Sequence, residues 1–301
     1  MRRPLWKAVA VTALVFLACF VAILAFLVLG EGSLALRGNR VALVEVQGVI
    51  VEAERVVREL EAHGDDPAIR AVVVRIQSPG GVVAPTQEIY RAIRRLRDKG
   101  KPVVASMGAV AASGGYYLAA GADHIVANQG SLTGSIGVLI QLAEVEGLLR
   151  KVGVRYEIIK AGRYKDVGNI ARPMTDEERQ ILQGLLDDLH EQFVADVAEG
   201  RGLDPAAIRA LADGRVFSGR RAKELGLVDG LGGLEEAVQK AAELARIPGK
   251  PRLVRPRRPF QLTDLLEWLA GRTALGALLS SPASLPWPLL GSPKLPLYLM
   301  E

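Results

Sequence analysis

Apolar residues occur along the chain in two ways, one continuous and one periodic. Residues 8–30 form an unbroken, uncharged and mostly aliphatic stretch, and a helix needs about 20 such residues to cross the hydrocarbon core of a bilayer. Basic residues precede this stretch, which places the N-terminus on the cytoplasmic side and the rest of the chain across the membrane. A cleaved signal peptide is the alternative, but its apolar region usually spans only about 7–15 residues. We therefore predict an uncleaved transmembrane anchor within residues 1–32.

Beyond the anchor, short β-branched runs alternate with segments of helical spacing, a pattern typical of α/β layers with largely parallel strands. Thr175 and Glu178 match a capping box, and Asp204 and Ser218 are typical helix N-caps. The predicted strands cover residues 41–46, 71–76, 102–107, 124–127 and 155–159, and the main predicted helices cover residues 54–63, 85–99, 113–120, 143–151 and 175–200. Glycine-rich residues 78–81 and 130–137 predict a turn and a loop.

The chain changes in character near its C-terminus. Residues 248–301 are rich in proline and basic at first, and then contain an apolar segment, 262–279, that three charged residues interrupt. Those charges argue against a second membrane span, so we predict an amphipathic packing helix or a segment that docks on a neighbouring subunit. The predicted organisation is an anchor (1–32), a folded domain (33–247) and a tail (248–301).

The net charge of +5 overstates how basic the folded domain is. Eight positive charges are concentrated in two short segments, residues 2–7 and 250–258, and the rest of the chain without them carries −3. Nucleic acid is therefore not an expected partner. Cys19 is the only cysteine and lies within the predicted anchor, so no intramolecular disulfide is possible. The eight basic residues are Arg2, Arg3, Lys7, Lys250, Arg252, Arg255, Arg257 and Arg258.

Candidate catalytic groups are few, because histidine and cysteine are almost absent. His63, His124 and His190 show no nucleophile-like or metal-ligand spacing, so zinc catalysis and a Ser-His-Asp triad are poorly supported, and we expect neither a metal nor a cofactor. Residues 112–117, Ala-Ser-Gly-Gly-Tyr-Tyr, place Ser113 where a strand passes into a helix. Unpaired backbone N–H groups at such a helix start can stabilise the oxyanion of acyl transfer. Taken alone, a serine in this position is more often a structural N-cap.

A nucleophilic serine without a histidine needs another base, and a lysine can serve if it is neutral. Neutrality requires a site away from water and from carboxylates. Lys165, in Gly-Arg-Tyr-Lys-Asp, follows a predicted strand and precedes a capped helix. In isolation it would be a solvated surface lysine, and the adjacent Asp166 would oppose neutrality if it pointed the same way. The residue types alone leave both interpretations open.

Several glycine-rich motifs together, in this order and spacing, resemble the signal peptide peptidase A family in its short, single-copy bacterial form. The motifs are residues 78–81, 112–117, 130–137, 162–166 and 217–229, and the resemblance runs from about residue 41 to 245. It implies an α/β fold like that of crotonases and Clp protease, with layers built from ββα units. The resemblance assigns Ser113 as nucleophile, Lys165 as general base, Ser135 as the hydroxyl that supports the base, and Gly80, Gly81 and Gly114 as the oxyanion hole.

What the resemblance implies about function goes further than the residue chemistry. It implies a serine endopeptidase that hydrolyses remnant signal peptides and misfolded exported proteins through an acyl-enzyme, without a cofactor. The expected location is the cell membrane, with one span, a cytoplasmic N-terminus and an extracytoplasmic catalytic domain. Members of the family form ring- or dome-like homo-oligomers, in which one site can draw its serine and its lysine from different subunits. The alternatives are an acyl-CoA enzyme of the same fold, a non-catalytic membrane scaffold, and a peptidase with a dedicated membrane-protein client.

Overall fold

The structure, a computed structural model, describes residues 14–21 and 39–255, together with the backbone of residues 297–299. Residues 14–21 are helical and are labelled α1. Within these described ranges, no helix is both long and apolar enough to span a bilayer. Most of the predicted anchor (8–30) and all of the predicted amphipathic segment (262–279) lie outside the described residues.

Strands and helices alternate from residue 40 onward, as the periodicity predicts. The first part comprises β1 (Arg40–Gln47), α2 (Glu54–Asp65), β2 (Ile69–Ser78), β3 (Gly80–Val82), α3 (Val83–Asp98), β4 (Val103–Ala112) and α4 (Gly114–Ala120). The second part comprises β5 (His124–Ala127), β6 (Leu132–Gly134), α5 (Glu146–Lys151), α6 (Asp176–Arg201), α7 (Pro205–Arg209), β7 (Val216–Ser218), α8 (Gly219–Glu224), β8 (Gly230–Leu231), α9 (Leu234–Leu244), β9 (Arg252–Val254) and β10 (Leu297–Leu299).

An eight-stranded mixed sheet organises the domain, with the main strand order β7-β6-β4-β2-β1-β9. The pairs along this sheet are parallel except for β6 and β7, which are antiparallel. The long strand β4 has different neighbours at its two ends: residues 104–106 pair with β5, and residues 110–112 pair with β6. The last residues of β4 therefore do not pair with β5, and they lead directly into the start of α4.

Both faces of the sheet are covered, because side chains alternate along each strand. On β1, Val41 and Leu43 pack into a smaller apolar cluster with α9, whereas Val44 and Val46 belong to the main core. That main core also takes buried residues from α2, α3, α4 and α6. Helices on both faces of a mostly parallel sheet are the layered α/β arrangement that the sequence predicts.

The helix starts agree with the sequence. Thr175 Oγ1 accepts a hydrogen bond from the Glu178 N–H at 3.2 Å, and the Glu178 carboxylate accepts one from the Thr175 N–H at 3.0 Å. The predicted capping box of α6 is therefore confirmed. Asp204 and Ser218 also accept hydrogen bonds at the starts of α7 and α8, as predicted. Each of these contacts is local in sequence, so its motif is sufficient to predict it.

The segment between β6 and α6 differs from the prediction. Residues 154–160 have no regular structure, so the predicted strand over residues 155–159 is wrong. The apolar pattern is present, but within the described chain no strand pairs with it, and a strand needs a partner to satisfy its backbone. Tyr156 and Ile159 are therefore 62% and 96% exposed. The helix predicted over residues 143–151 is shorter and begins at Glu146.

Candidate active site

Ser113 lies at the junction between β4 and α4 in an unusual backbone conformation. Its φ and ψ are 53° and −119°, and its side chain is fully buried. A positive φ is unfavourable for a residue with a Cβ and persists only where the surrounding structure enforces it. Here the Ser113 N–H donates to the Gly134 carbonyl at 2.8 Å, and its carbonyl accepts from the Tyr117 N–H at 2.9 Å. These two contacts hold Ser113 in a sharp turn from strand to helix, the geometry that serine hydrolases use to present a nucleophile.

The hydroxyl of Ser113 is buried without a hydrogen-bond partner among the residues that the structure describes. A buried hydroxyl left unsatisfied costs about 1–3 kcal/mol. The packing of the domain therefore does not account for a serine at this position. A group that enters the site from outside these residues would satisfy the hydroxyl.

The turn glycines Gly80 and Gly81 lie directly against Gly114. A Cβ built on Gly114 would lie 3.2 Å from both the Gly80 Cα and the Gly81 nitrogen, and 3.0 Å from Thr86 Oγ1. The structure thus brings together the three glycines that the sequence analysis assigns to an oxyanion hole, although more than thirty residues separate the turn from α4. The predicted turn at 78–81 is partly wrong, because β2 continues to Ser78 and Gly80 already begins β3.

Backbone hydrogen bonds distinguish Gly81 from Gly80. The Gly80 N–H donates to Ser78 Oγ at 3.1 Å, and the Gly80 carbonyl accepts from the Ile50 N–H at 2.8 Å. The Val82 N–H donates to the Ile50 carbonyl at 2.7 Å. Because polar groups alternate in direction along a strand, the N–H and carbonyl of Gly81 face the opposite side. Ile50 was not singled out in the sequence analysis, since an isolated apolar residue carries no signal for such a bridge.

An extended segment already occupies that opposite side of β3. Strand β10 pairs antiparallel with β3, with residue 298 opposite Gly81 and residues 297 and 299 opposite Val82 and Gly80. Strand β10 also lies against α4, the helix that follows Ser113. This edge of the site therefore accepts an extended backbone by strand addition.

Lys165 lies on the surface, in the irregular segment between α5 and α6. Its side chain is exposed, and its backbone N–H donates to the Gly162 carbonyl at 3.2 Å. Within residues 39–255 no hydrogen bond joins Lys165 to the buried hydroxyl of Ser113. The structure of a single chain thus assembles the predicted nucleophile and the glycines but leaves the predicted base exposed.

Ser135 lines a cleft of about 880 Å³ between the residues that follow β6, helix α6 and the loop before β7. Its backbone also has a positive φ, 50°, and its N–H donates to the Arg215 carbonyl at 2.8 Å. The neighbouring hydroxyls of Ser131 and Thr133 instead donate to carbonyls of Gly108 and Ala111 on or beside the end of β4. Ser135 is therefore the hydroxyl of this loop that faces the cleft.

The three histidines differ in their surroundings. Burial lowers the pKa of His63 and of His124, so both side chains are neutral near physiological pH. His190 lines the cleft beside Ser135, and its Nε2 atom is buried with no partner in the described part of the chain. The sequence gives His190 no catalytic or metal-binding assignment, because its mid-helix position carries no sign that it faces a cleft.

Comparison with known proteins identifies the family. The sequence profile of peptidase family S49 matches residues 95–248, and that of Clp protease matches residues 38–129. The first of these covers just over half of the chain and includes both Ser113 and Lys165. The chain belongs to peptidase family S49. The matching Clp protease profile agrees with the layered α/β fold and its mixed sheet, and the predicted resemblance is confirmed at the level of family and fold.

Individual relatives of this S49 peptidase carry consistent names. A candidate protease of Synechocystis sp. is 47% identical over 209 residues, which are 69% of this chain and 75% of the relative. A candidate signal peptide peptidase SppA of Enterococcus faecium is 37% identical over 180 residues, 60% of this chain and 52% of the relative. Protease 4 of Salmonella typhi is 35% identical over 219 residues, 70% of this chain and 35% of the relative. The chain is thus an SppA-like serine peptidase that spans only part of its longer relatives.

Replacing Gly81 by Ala should damage both the stability and the activity of this peptidase. A Cβ at this position would lie 2.0 Å from the Ile50 carbonyl oxygen, so the β3 backbone must move. We expect a loss of about 2–3 kcal/mol in the free energy of unfolding and a fall of at least about 100-fold in kcat/KM. Urea denaturation and peptide hydrolysis measure the two effects. Gly130→Ala is the matched control, since a Cβ there meets nothing within 4 Å; equal behaviour of the two variants would contradict this account.

Proposed function

We propose that this S49 peptidase hydrolyses peptide bonds with Ser113 as the nucleophile and Lys165 as the general base. The observation that carries the proposal is the Ser113 hydroxyl, buried, unpartnered within the described chain and placed in a strained strand-to-helix turn. Structural N-caps use their side chains to accept backbone hydrogen bonds, and Ser113 makes no such contact. The structural interpretation of Ser113 is therefore the weaker one.

The proposed reaction begins when Lys165 removes the proton of Ser113 as the hydroxyl oxygen attacks the peptide carbonyl. The N–H groups of Gly114 and Gly81 stabilise the resulting oxyanion. Gly81 is the better donor of the turn pair, because the Gly80 N–H is already bonded to Ser78 Oγ. The ammonium of Lys165 then protonates the departing amine, which leaves an acyl-enzyme on Ser113. A water molecule, deprotonated by Lys165, hydrolyses that ester and regenerates the hydroxyl.

The proposed substrates bind as an extended strand along β3. The pairing of β10 with β3 supports this mode, since it gives an antiparallel backbone partner the required place beside α4. A peptide residue opposite Gly81 would direct its carbonyl towards the Gly81 N–H. Main-chain pairing of this kind is independent of side-chain identity, which suits a peptidase that accepts varied sequences.

We further propose that Lys165 acts in the site of a neighbouring subunit within a homo-oligomer. Two observations support this: Lys165 is exposed, and the residues just before it expose apolar side chains that an intact domain normally covers. Tyr156, Ile158 and Ile159 are the most relevant of these. The sequence of residues 154–160 is strand-like, and a strand from another chain would pair with the backbone N–H and carbonyl groups of this segment.

The proposed location is the cell membrane, with residues 8–30 as a single span and the catalytic domain on the extracytoplasmic side. The length of the apolar stretch and the basic residues before it support this topology. The proposed substrates are remnant signal peptides and misfolded exported proteins, as the name of the Enterococcus faecium relative suggests for the former. An anchor would hold the site close to peptides that are concentrated at the bilayer.

Labelling with a fluorophosphonate tests the proposed chemistry. We expect the full chain in detergent micelles to form one adduct, mapped by mass spectrometry to Ser113, with parallel loss of hydrolysis of a generic peptide. An adduct on another serine, or peptide hydrolysis that survives complete labelling of Ser113, would contradict the assignment. Turnover of an enoyl thioester without peptide hydrolysis would instead favour the acyl-CoA alternative.

A further inference from the structure

We propose that Arg172 is a positioning residue for the general base: it engages the Asp166 carboxylate so that this group does not pair with the Lys165 amine. The inference rests on the proposed function, in which Lys165 must be neutral to accept a proton. Asp166 follows Lys165 directly in the sequence, and a carboxylate beside the amine would favour the ammonium form.

Both oxygens of the Asp166 carboxylate are occupied by other cations. Arg172 Nε and Nη2 donate to Asp166 Oδ2 at 3.1 and 3.0 Å. Lys160 binds the other oxygen, Oδ1, and also donates to the Arg163 carbonyl at 2.9 Å. The Asp166 side chain is only 10% exposed. Asp166 therefore points into a cluster of cations, and no ion pair joins it to Lys165 in the described chain.

Arg172 also connects this segment to the rigid part of the domain. Its Nη1 donates to Glu178 Oε2 at 2.8 Å and to the Pro173 carbonyl at 3.1 Å. Glu178 is the capping-box residue of α6 and is 5% exposed. The far end of α6 packs Phe193 and Val197 into the main core. A single guanidinium thus links the carboxylate next to the base to a helix that the core holds in place.

The charges around Lys165 form a balanced set. Hydrogen bonds from Lys160 and Arg172 lower the pKa of Asp166 to about 2, and hydrogen bonds from Arg172 and the Thr175 backbone lower the pKa of Glu178 to about 2. Both carboxylates are therefore ionised at every pH at which a lysine could act as a base. The third anion, Glu177, is bound by Arg163 and by the Tyr164 hydroxyl.

The three carboxylates Asp166, Glu177 and Glu178 therefore face three cations, Lys160, Arg163 and Arg172. Asp176 and Arg179, the next charged residues on α6, are exposed and take no part in these pairs. These six charged groups are paired among themselves, and no ion pair joins Lys165 to any of the three carboxylates in the described chain.

If Lys165 is the base, kcat/KM rises with pH as its amine loses a proton, and removing Arg172 should move this rising limb of the pH profile. In Arg172→Met, Asp166 keeps its charge and its contact with Lys160 but loses both hydrogen bonds from Arg172. The carboxylate oxygen that Arg172 held is then available to stabilise the Lys165 ammonium. We expect the midpoint of this limb to shift to higher pH by about one unit. At a pH below the midpoints of both proteins, kcat/KM of the variant should then be about tenfold lower than that of the wild type. Adding Asp166→Asn to Arg172→Met should return the limb towards its original position, because the carboxylate that Arg172 no longer holds is gone.

Three further variants separate charge from structure. Arg172→Lys keeps a positive charge but not the multidentate contacts of the guanidinium, so the limb should shift less than in Arg172→Met. Glu178→Gln weakens the link to α6 and should lower Tm, yet leave the limb in place because Asp166 stays paired. Asp166→Asn alone removes the carboxylate partner of Lys160 and one of the two carboxylate partners of Arg172, and should move the limb to lower pH. This last variant also tests the inference if Arg172→Met fails to fold.

The result that would overturn the inference is a limb that does not move in Arg172→Met or in Asp166→Asn, with only Tm and kcat reduced. Arg172 would then be merely structural. A failure of the proposed function can be told apart from a failure of this inference, because Lys165→Met would then retain peptide hydrolysis. Loss of activity in Lys165→Met together with an unmoved limb in the Arg172 series would refute this inference alone.

Discussion

Replacing Ser113 by Ala should abolish peptide hydrolysis while leaving the fold intact. The substitution removes the proposed nucleophile, and loss of a serine nucleophile typically lowers kcat by about 10⁴-fold or more. The Ser113 hydroxyl makes no hydrogen bond within the described chain, so its removal breaks no contact. Tm should therefore be unchanged or slightly higher, since deleting an unsatisfied buried hydroxyl removes its desolvation cost. Peptide hydrolysis and thermal denaturation measure the two expectations.

Ser131→Ala is the matched control for Ser113→Ala, because the hydroxyl of Ser131 is hydrogen-bonded whereas that of Ser113 has no partner in the described chain. The Ser131 hydroxyl donates to the Gly108 carbonyl at 2.6 Å and accepts from the Asn128 N–H at 3.1 Å. Its loss should cost about 1 kcal/mol or more of stability and leave hydrolysis largely intact. If Ser113→Ala lost stability but kept activity, Ser113 would be a structural residue and the proposed mechanism would be wrong.

Replacing Lys165 by Met should lower kcat/KM by about 10²–10⁴-fold, the usual contribution of a general base. Methionine keeps much of the side-chain volume and removes the amine. Because Lys165 is exposed and unpaired within the described chain, the stability of an isolated subunit should change little. Lys151→Met, on the exposed helix α5 of the same segment, is the control and should stay close to the wild-type rate. Near-normal hydrolysis by Lys165→Met would exclude it as the base.

Mixing the two inactive variants shows whether one site draws on two chains. If Ser113 of one subunit works with Lys165 of its neighbour, random assembly from equal amounts of Ser113→Ala and Lys165→Met should restore about a quarter of the sites, because each group is intact with a probability of one half. If both groups came from the same chain, the mixed assemblies would remain inactive. Subunits must exchange before the assay, so the variants are best unfolded and refolded together or co-expressed.

The exposed apolar segment before Lys165 gives the mixing experiment its structural basis. Residues 154–158 alternate between apolar and charged side chains as a strand does, but residues 154–160 are irregular in the single chain. A segment that lacks a partner in its own chain and exposes large apolar side chains is typical of an interface. The exposure of Lys165, the proposed base, and the unpaired segment before it thus have the same proposed explanation, which is a neighbouring subunit.

Most of the local structure is predictable from the sequence because it depends on residues close together in the chain. The caps of α6, α7 and α8 involve residues two or three positions apart, and the motifs predict them correctly. The alternation of strands and helices, and the placement of Ser113 between β4 and α4, follow from hydrophobic periodicity and from glycines at the junction. These features need no knowledge of which segments meet in space.

The site itself required the tertiary structure, because its contacts join segments that are distant in sequence. Only the packing of β3 against α4 brings Gly80 and Gly81 beside Gly114, and only the bridge to Ile50 shows which glycine has an N–H facing the site. The sequence placed Asp166 next to Lys165, the proposed base, but could not tell where the Asp166 carboxylate points. Arg172 and Lys160 decide that, since electrostatic pairing depends on distances between side chains that no sequence pattern contains.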